Sequence, residues 1–150
     1  MATTSSPVLR YEKRDRKAYL ILNRPEAMNA ISTELAAAVS DAADDADRDD
    51  DILVVIVIGE GGRAFSAGAD LKEMTRIDGD GKADRFAGLL HTDGIARGSK
   101  PVIAAIDGYC LAGGLELSLR CDIRIATAKS TFGLPDPRRS LLAGYGLHNL

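Results

Sequence analysis

The sequence predicts an α/β domain in which helices pack on a largely parallel sheet. Three observations carry that prediction. Residues 52–58 and 101–106 are continuous runs of β-branched and small apolar residues, the character of strands covered on both faces. Segments of helical composition separate the strands, in the order strand, strand, helix, strand, helices, strand, helix, strand. With 150 residues, 45% of them apolar and 27% charged, the chain has the size and balance of one globular domain able to bury a core.

Residues 8–13 and 18–22 read as the strands of an opening hairpin, turned by the charged residues 14–17. Asn23, Arg24 and Pro25 end the second strand. Residues 32–46, with Leu35, Val39 and many alanines, predict a helix. Asp41, Asp44, Asp45, Asp47, Asp49, Asp50 and Asp51 crowd its end, where they oppose the helix dipole and repel one another; a solvated corner is expected. These aspartates lack the spaced loop glycine of a calcium hand, so no metal site is expected of them. After strand 52–58, glycines within 59–62 turn the chain. Residues 70–74 suit a short helix, 75–82 a polar surface loop and 83–96 a second helix. Strand 101–106, helix 113–120 and strand 122–126 follow, and 132–137 reads as a constrained loop. The chain stops at GYGLHNL without a capping helix, and is expected to be the N-terminal part of a longer domain.

Nineteen basic and 22 acidic residues give a formal charge of -3, which offers no broad basic field to nucleic acid or a membrane surface. Residues 1–7 are polar and uncharged, unlike a signal peptide, and the longest apolar run, 52–58, is too short to cross a bilayer. Cys110 and Cys121 lack metal-ligand spacing and read as reduced core thiols, so a cytoplasmic location is expected.

Two glycine-centred segments, AFSAGADLKEM at 64–74 and GYCLAGGLELSLRCD at 108–122, place small residues before a helix start. Gly68, Gly113 and Gly114 let a ligand approach the backbone, and amides that open a helix have no internal partner. Such amides attract developing negative charge. Glu116 follows the glycine pair within one turn, among Leu111, Leu115, Leu117 and Leu119, which imply a buried setting. A charge-stabilising backbone beside a candidate acid/base suggests chemistry on a carbonyl compound. Two other motifs carry less. GEGGRA at 59–64 has the letters of a dinucleotide fingerprint but opens no crossover helix, so a tight turn is expected. AFSAG at 64–68 is similar to a nucleophile elbow, yet the chain has only His91 and His148, and neither can be placed as the base of a hydrolase. Phe65 and Tyr109 are expected in the core.

Over nearly its whole length the chain resembles the crotonase family of enoyl-CoA hydratases and isomerases. The likeness runs through LNRPEAMNAIS at 22–32, ILVVIVIGEGGRAFSAGADLKEM at 52–74, KPVIAAIDGYCLAGGLELSLRCDIRIA at 100–126 and STFGLPDPRRSLLAG at 130–144. The resemblance implies a crotonase-like spiral of β-β-α units lacking its C-terminal helical part, and an acyl-CoA thioester as substrate. It implies that the amides of Ala69 and Gly113 form an oxyanion hole for the thioester oxygen, and that Glu116 and Asp136 are the two acids of a hydratase. Glu26, Ala27 and Met28 would line the CoA path, with Ala67, Gly68, Ala69, Asp70, Leu71 and Lys72 wrapping adenine and pantetheine, and Arg24 and Lys72 near phosphates.

The usual second acid in these hydratases is glutamate. Aspartate at 136 reaches one carbon less, in a loop restricted by Pro135 and Pro137. The expected reaction is hydration of a 2-trans-enoyl-CoA to a 3-hydroxyacyl-CoA. Alternatives are an enoyl-CoA isomerase or another reaction of the family and, in a different class, a fragment that binds acyl-CoA or associates with subunits without turnover. No metal or redox cofactor is implied, since CoA enters with the substrate. The partners implied are an acyl-CoA and, at full length, two or five further copies in a homotrimer or dimer of trimers. As a separate polypeptide, the chain is expected to expose apolar surface.

Overall fold

The structure is a computed structural model, and it describes residues 3–74 and 93–135. The hairpin forms as expected. β2 (Leu9–Arg14) pairs antiparallel with β3 (Lys17–Leu22), and the Arg14–Lys17 pair leaves Asp15 and Arg16 as a two-residue turn. Both turn residues are left-handed, with φ of 49° and 61°, the backbone hand that matches strand twist in a tight hairpin. A short β1 (Thr3–Ser5), not expected from the sequence, pairs antiparallel with β2.

After β3, a 3-10 turn over Pro25–Ala27 leads to α1 (Thr33–Arg48). Ser32 caps this helix by accepting a hydrogen bond from the Leu35 amide. Leu35, Ala36, Val39, Ala42, Ala43 and Ala46 form its buried stripe, at the spacing that puts them on one face. The acidic corner is solvated as expected, with Asp41, Asp45, Asp50 and Asp51 exposed, but some of its carboxylates also have partners. Lys13 Nζ lies 2.7 Å from Asp45 and 2.6 Å from Asp49, Tyr11 donates to Asp45 at 2.8 Å, and Asp47 accepts from the Ser99 amide at 2.7 Å. Lys100 Nζ donates to the carbonyls of Ala46 (2.6 Å) and Asp49, placing a cation on the dipole's negative end. Among the described residues, no His/Cys/Asp/Glu group could hold a metal.

The remaining strands alternate between two sheets. β4 (Val54–Gly59), β6 (Val102–Ile106) and β8 (Ile123–Ala126) extend the larger one in parallel, giving the order β1-β2-β3-β4-β6-β8. β5 (Ala64–Ser66), β7 (Tyr109–Leu111) and β9 (Thr131–Gly133) form a smaller parallel sheet in the order β5-β7-β9. Each of β4, β6 and β8 is thus followed by a strand of the other sheet, and each pair advances both sheets by one position. With the helices that follow β5 and β7, this coil is the spiral of β-β-α units expected. The small sheet itself was not foreseen, and Thr131–Gly133 corrects the beginning of the loop expected at 132–137.

The core lies between the large sheet and α1. Ala18, Leu20, Leu22, Val55, Val57, Ala104 and Ile106 alternate inward from neighbouring strands to meet the helix stripe. α2 (Asp93–Arg97) packs on α1 through Gly94, where a Cβ would come within 2.7 Å of the Ser40 carbonyl oxygen. It overlaps the end of the helix expected at 83–96 and runs one residue past it; the earlier part of that helix lies outside the described residues. α3 (Gly113–Leu119) ends close to the expected boundary. Ile123 and Ile125 on β8 and Phe132 on β9 are exposed, as expected of an apolar edge. Among the described residues, no helix is long and apolar enough to cross a membrane.

Candidate functional site

The first half of the site leaves β5 through Gly68, whose φ of 94° belongs to glycine. The Ile31 amide donates to Gly68 O at 2.7 Å and the Asp70 amide donates to Ile31 O at 3.0 Å, a parallel bridge centred on Ile31 and Ala69. In a planar trans peptide the C=O and N–H point opposite ways. Fixing Gly68 O on Ile31 therefore aims the Ala69 N–H away from Ile31. The neighbouring amides are engaged, Ala67 with Met28 O (3.0 Å) and Gly68 with Ser66 Oγ (3.2 Å). Among the described residues, the Ala69 amide has no acceptor.

The second half is the entry to α3. Ala112 has φ 49° and ψ -126°, a conformation that L residues rarely adopt and that costs about 1–3 kcal/mol. Its amide donates to Gly133 O at 2.9 Å, and its carbonyl accepts from the Glu116 amide at 3.1 Å. By the same peptide geometry the Gly113 N–H points opposite to Ala112 O, out of the first helical turn. It too lacks an acceptor among the described residues. The halves touch: a Cβ on Gly68 would lie 2.7 Å from the Ala112 Cβ and 2.9 Å from the Gly113 nitrogen. Glycine at 68 thus serves both the turn and the close approach.

Glu116 lies three residues beyond Gly113, on the same side of the helix, and is 3% exposed. The leucines around it in sequence foretold this burial. The other expected acid, Asp136, lies outside the described residues, as do His91 and His148. Ser66 is fully buried and its Oγ braces the Gly68 amide, so the elbow reading finds a structural serine. Gly61 and Gly62, with φ of 87° and 64°, form the turn expected between β4 and β5. Cys110 and Cys121 are free and buried, and burial pushes their thiols up to about 11 and about 12.

The two segments expected along the CoA path are neighbours in space. Glu26 and Ala27 lie in the 3-10 turn, and Met28, left-handed at φ 51°, accepts the Ala67 amide on its carbonyl. Asp70 precedes a helical turn at 71–74 that exposes Leu71 and Lys72. Arg24, expected near a phosphate, makes two contacts within the protein. Its Nη2 pairs with Asp70 at 2.8 Å and its Nη1 donates to Ala30 O at 2.6 Å. Phe65 is in the core, whereas Tyr109 is 44% exposed, contrary to expectation, because its side of β7 is uncovered.

One organising residue was missed. Asn29 is fully buried, donates to Glu60 O (3.0 Å) and Ala64 O (2.8 Å), and accepts the Arg24 amide (2.9 Å). It ties the turn at 24–30 to the approach to β5. Asparagine shortly after a proline-led turn was the available signal, since it tolerates the left-handed backbone found there, φ 53°.

A coil of paired strands carrying two outward-aimed amides beside a buried carboxylate defines an α/β protein whose backbone can hold an oxygen next to an acid. Residues 13–150 match the enoyl-CoA hydratase/isomerase family. The chain is 42% identical over 132 residues to the mevalonyl-coenzyme A hydratase of Aspergillus fumigatus, covering 85% of this chain and 47% of that one. It is 36% identical over 141 residues to the short-chain-enoyl-CoA hydratase of Clostridium acetobutylicum, covering 90% and 52%. Among solved structures, the enoyl-CoA hydratase of Thermoplasma volcanium is similar at a TM-score of 0.83 and 35% identity, covering 94% of this chain and 56% of that one. The enoyl-CoA hydratase of Mycobacterium marinum gives a TM-score of 0.78 at 39% identity, covering 94% and 54%. The chain belongs to the crotonase family. It spans about half the length of the curated relatives it matches.

Proposed function

We propose that the protein binds an acyl-CoA thioester and, as part of its full-length form, adds water to a 2-trans-enoyl-CoA to give a 3-hydroxyacyl-CoA. The observation that carries this reading is the pair of amides at Ala69 and Gly113, each aimed by the carbonyl behind it, with Glu116 one turn away. In the reaction, water oxygen bonds to C3 of the enoyl group while the C2–C3 π electrons move toward the thioester oxygen. The amides of Ala69 and Gly113 hold the resulting enolate oxygen, a contribution of about 3–4 kcal/mol per donor in comparable sites. Of the two acids, Glu116 and Asp136, one takes the proton from water and the other delivers or holds the proton that goes to C2. Glu26, Ala27, Met28 and residues 67–72 form the CoA path in this reading. No metal or redox cofactor enters it, its compartment is the cytoplasm, and the full-length protein assembles as a trimer or a dimer of trimers.

A second reading is double-bond isomerisation, for which the buried carboxylate of Glu116 could serve alone. A single acid can remove a proton at one carbon and return it at another. Loss of enoyl-thioester absorbance, followed for the wild type, Glu116→Gln and Asp136→Asn, tests the main reading. Turnover that survives both substitutions would sink the two-acid assignment. Conversion of a 3-enoyl-CoA to the 2-enoyl-CoA without hydration would establish the second reading instead.

A further inference from the structure

Arg24 occupies an unusual place for a cation on a loop. Its side chain and that of Asp70 are only 19% and 14% exposed, so their 2.8 Å contact is weakly screened. The guanidinium also grips the other side of the bridge at Ala30 O, 2.6 Å away. Ala30 and Asp70 each adjoin a residue of the Ile31–Ala69 bridge. One planar group therefore clips together the two segments that form it, and the rigid fork of arginine suits two acceptors held at fixed angles.

The grip continues on both sides. The Arg24 amide donates to Asn29 Oδ1 at 2.9 Å and the Asn29 amide donates to Arg24 O at 2.8 Å, so the backbone bearing the guanidinium is itself held. Asp70 Oδ1 accepts from the Lys72 amide at 3.1 Å, and three residues beyond Asp70 both Glu73 carboxylate oxygens accept from Thr33, its amide at 2.9 Å and its hydroxyl at 2.7 Å. Between these clasps, the Ile31 amide meets Gly68 O and sets the direction of the Ala69 N–H.

We propose that Arg24 is a positioning residue of the thioester site: by clipping Asp70 to Ala30 it holds the Ile31–Gly68 hydrogen bond, and through it the orientation of the Ala69 amide. The role rests on the reading of Ala69 as a thioester donor. It is an alternative to a contact between Arg24 and CoA phosphate, because two of the guanidinium donors are spent within the protein.

Amide hydrogen exchange on the chain, read by NMR, tests the clip without any ligand. In Arg24→Gln, exchange at the Ile31 amide should accelerate roughly tenfold or more, while the Glu116 amide in α3 keeps its wild-type rate; Arg24→Lys should recover part of the difference. An unchanged Ile31 rate overturns the proposal, and so does a common acceleration at Ile31 and Glu116, which would mean general loosening. In Arg24→Lys, which keeps the charge and is the milder variant should Arg24→Gln not fold, the same split between Ile31 and Glu116 is required. The parent reading is tested separately on the wild type by titration with butyryl-CoA. Absence of shifts at Ala69 and Gly113 would defeat the thioester site and leave the exchange result on Arg24 standing. Binding of free CoA distinguishes the phosphate role, in which Arg24→Gln weakens affinity about tenfold with a reduced salt dependence; positioning predicts a change of less than about twofold.

Discussion

Gly114 in α3 lies directly against the Ser66 carbonyl at the end of β5, so closely that a Cβ at 114 would overlap that oxygen and lie 2.8 Å from the Ser66 Cβ. This contact seats the helix that carries Gly113 and Glu116 on the strand that leads to Ala69. The two halves of the site are thereby fixed relative to each other at a point where neither backbone has room to yield.

Gly114→Ala should therefore destabilise the fold by about 1–3 kcal/mol, the usual penalty of overpacking, with backbone rather than a flexible side chain as the obstacle. Urea denaturation measures the loss. The same change should abolish the response of the Ala69 and Gly113 amides to butyryl-CoA. A variant as stable as the wild type would show that α3 can slide on β5.

Glu116→Gln keeps the volume of a 3%-exposed side chain while removing its capacity to take up or release a proton. On the proposed hydratase reading, kcat for hydration by the full-length protein should fall by roughly 10²–10⁴-fold, with KM changed much less. Equal losses from a raised KM alone would assign Glu116 to binding.

Stability should be level between about pH 5 and 7 and decline as pH falls below about 4. Burial alone would raise the Asp70 carboxyl, but the Arg24 pair and the amides of Glu73 and Lys72 outweigh it and hold it below the ordinary 3.8. Hydrogen bonds from Lys13 and Tyr11 likewise lower Asp45, and those from Lys13 and the Asp51 amide lower Asp49. A carboxyl depressed in the folded state gives stability that is present above its unfolded pKa and lost as pH drops through its folded one. The unfolded chain binds more protons in that window. Asp70→Asn should be less stable at neutral pH and show a shallower acid limb in urea titrations at several pH values; a limb parallel to the wild type would remove Asp70 from the account.

The thiols should be silent in the native protein. Burial raises Cys110 to about 11 and Cys121 to about 12, which leaves almost no thiolate near pH 8. An aromatic disulfide reagent should react with neither cysteine until denaturant is added, and then with both. Rapid native labelling at either position would contradict the packing of α3 against β7.

Much of this architecture was legible because the signals were local. The hairpin announced itself through charged turn residues between apolar runs, and α1 through Leu35, Val39 and its many alanines. The small sheet was not legible. β5, β7 and β9 are three residues each, too short for alternation to register, and they are strands only because the large sheet brings them side by side. The partners of the aspartate corner were hidden for a related reason: Lys13 and Ser99 come from distant parts of the chain. In the site, the glycine pattern pointed to Gly68, Gly113 and Glu116, whereas the Arg24–Asp70 pair spans 46 positions and no spacing rule connects them.

The donors proposed at Ala69 and Gly113 are peptide N–H groups, supplied by every amino acid except proline. Replacing either side chain leaves the donor atom in place, provided the bridge and the helix entry survive. Proton handling, by contrast, falls in the proposed mechanism to a side chain at 116 and can be altered by one codon. On that reading a change of acids would change the reaction while leaving the backbone's hold on the thioester oxygen intact, so capture of the charge and choice of the chemistry are separable.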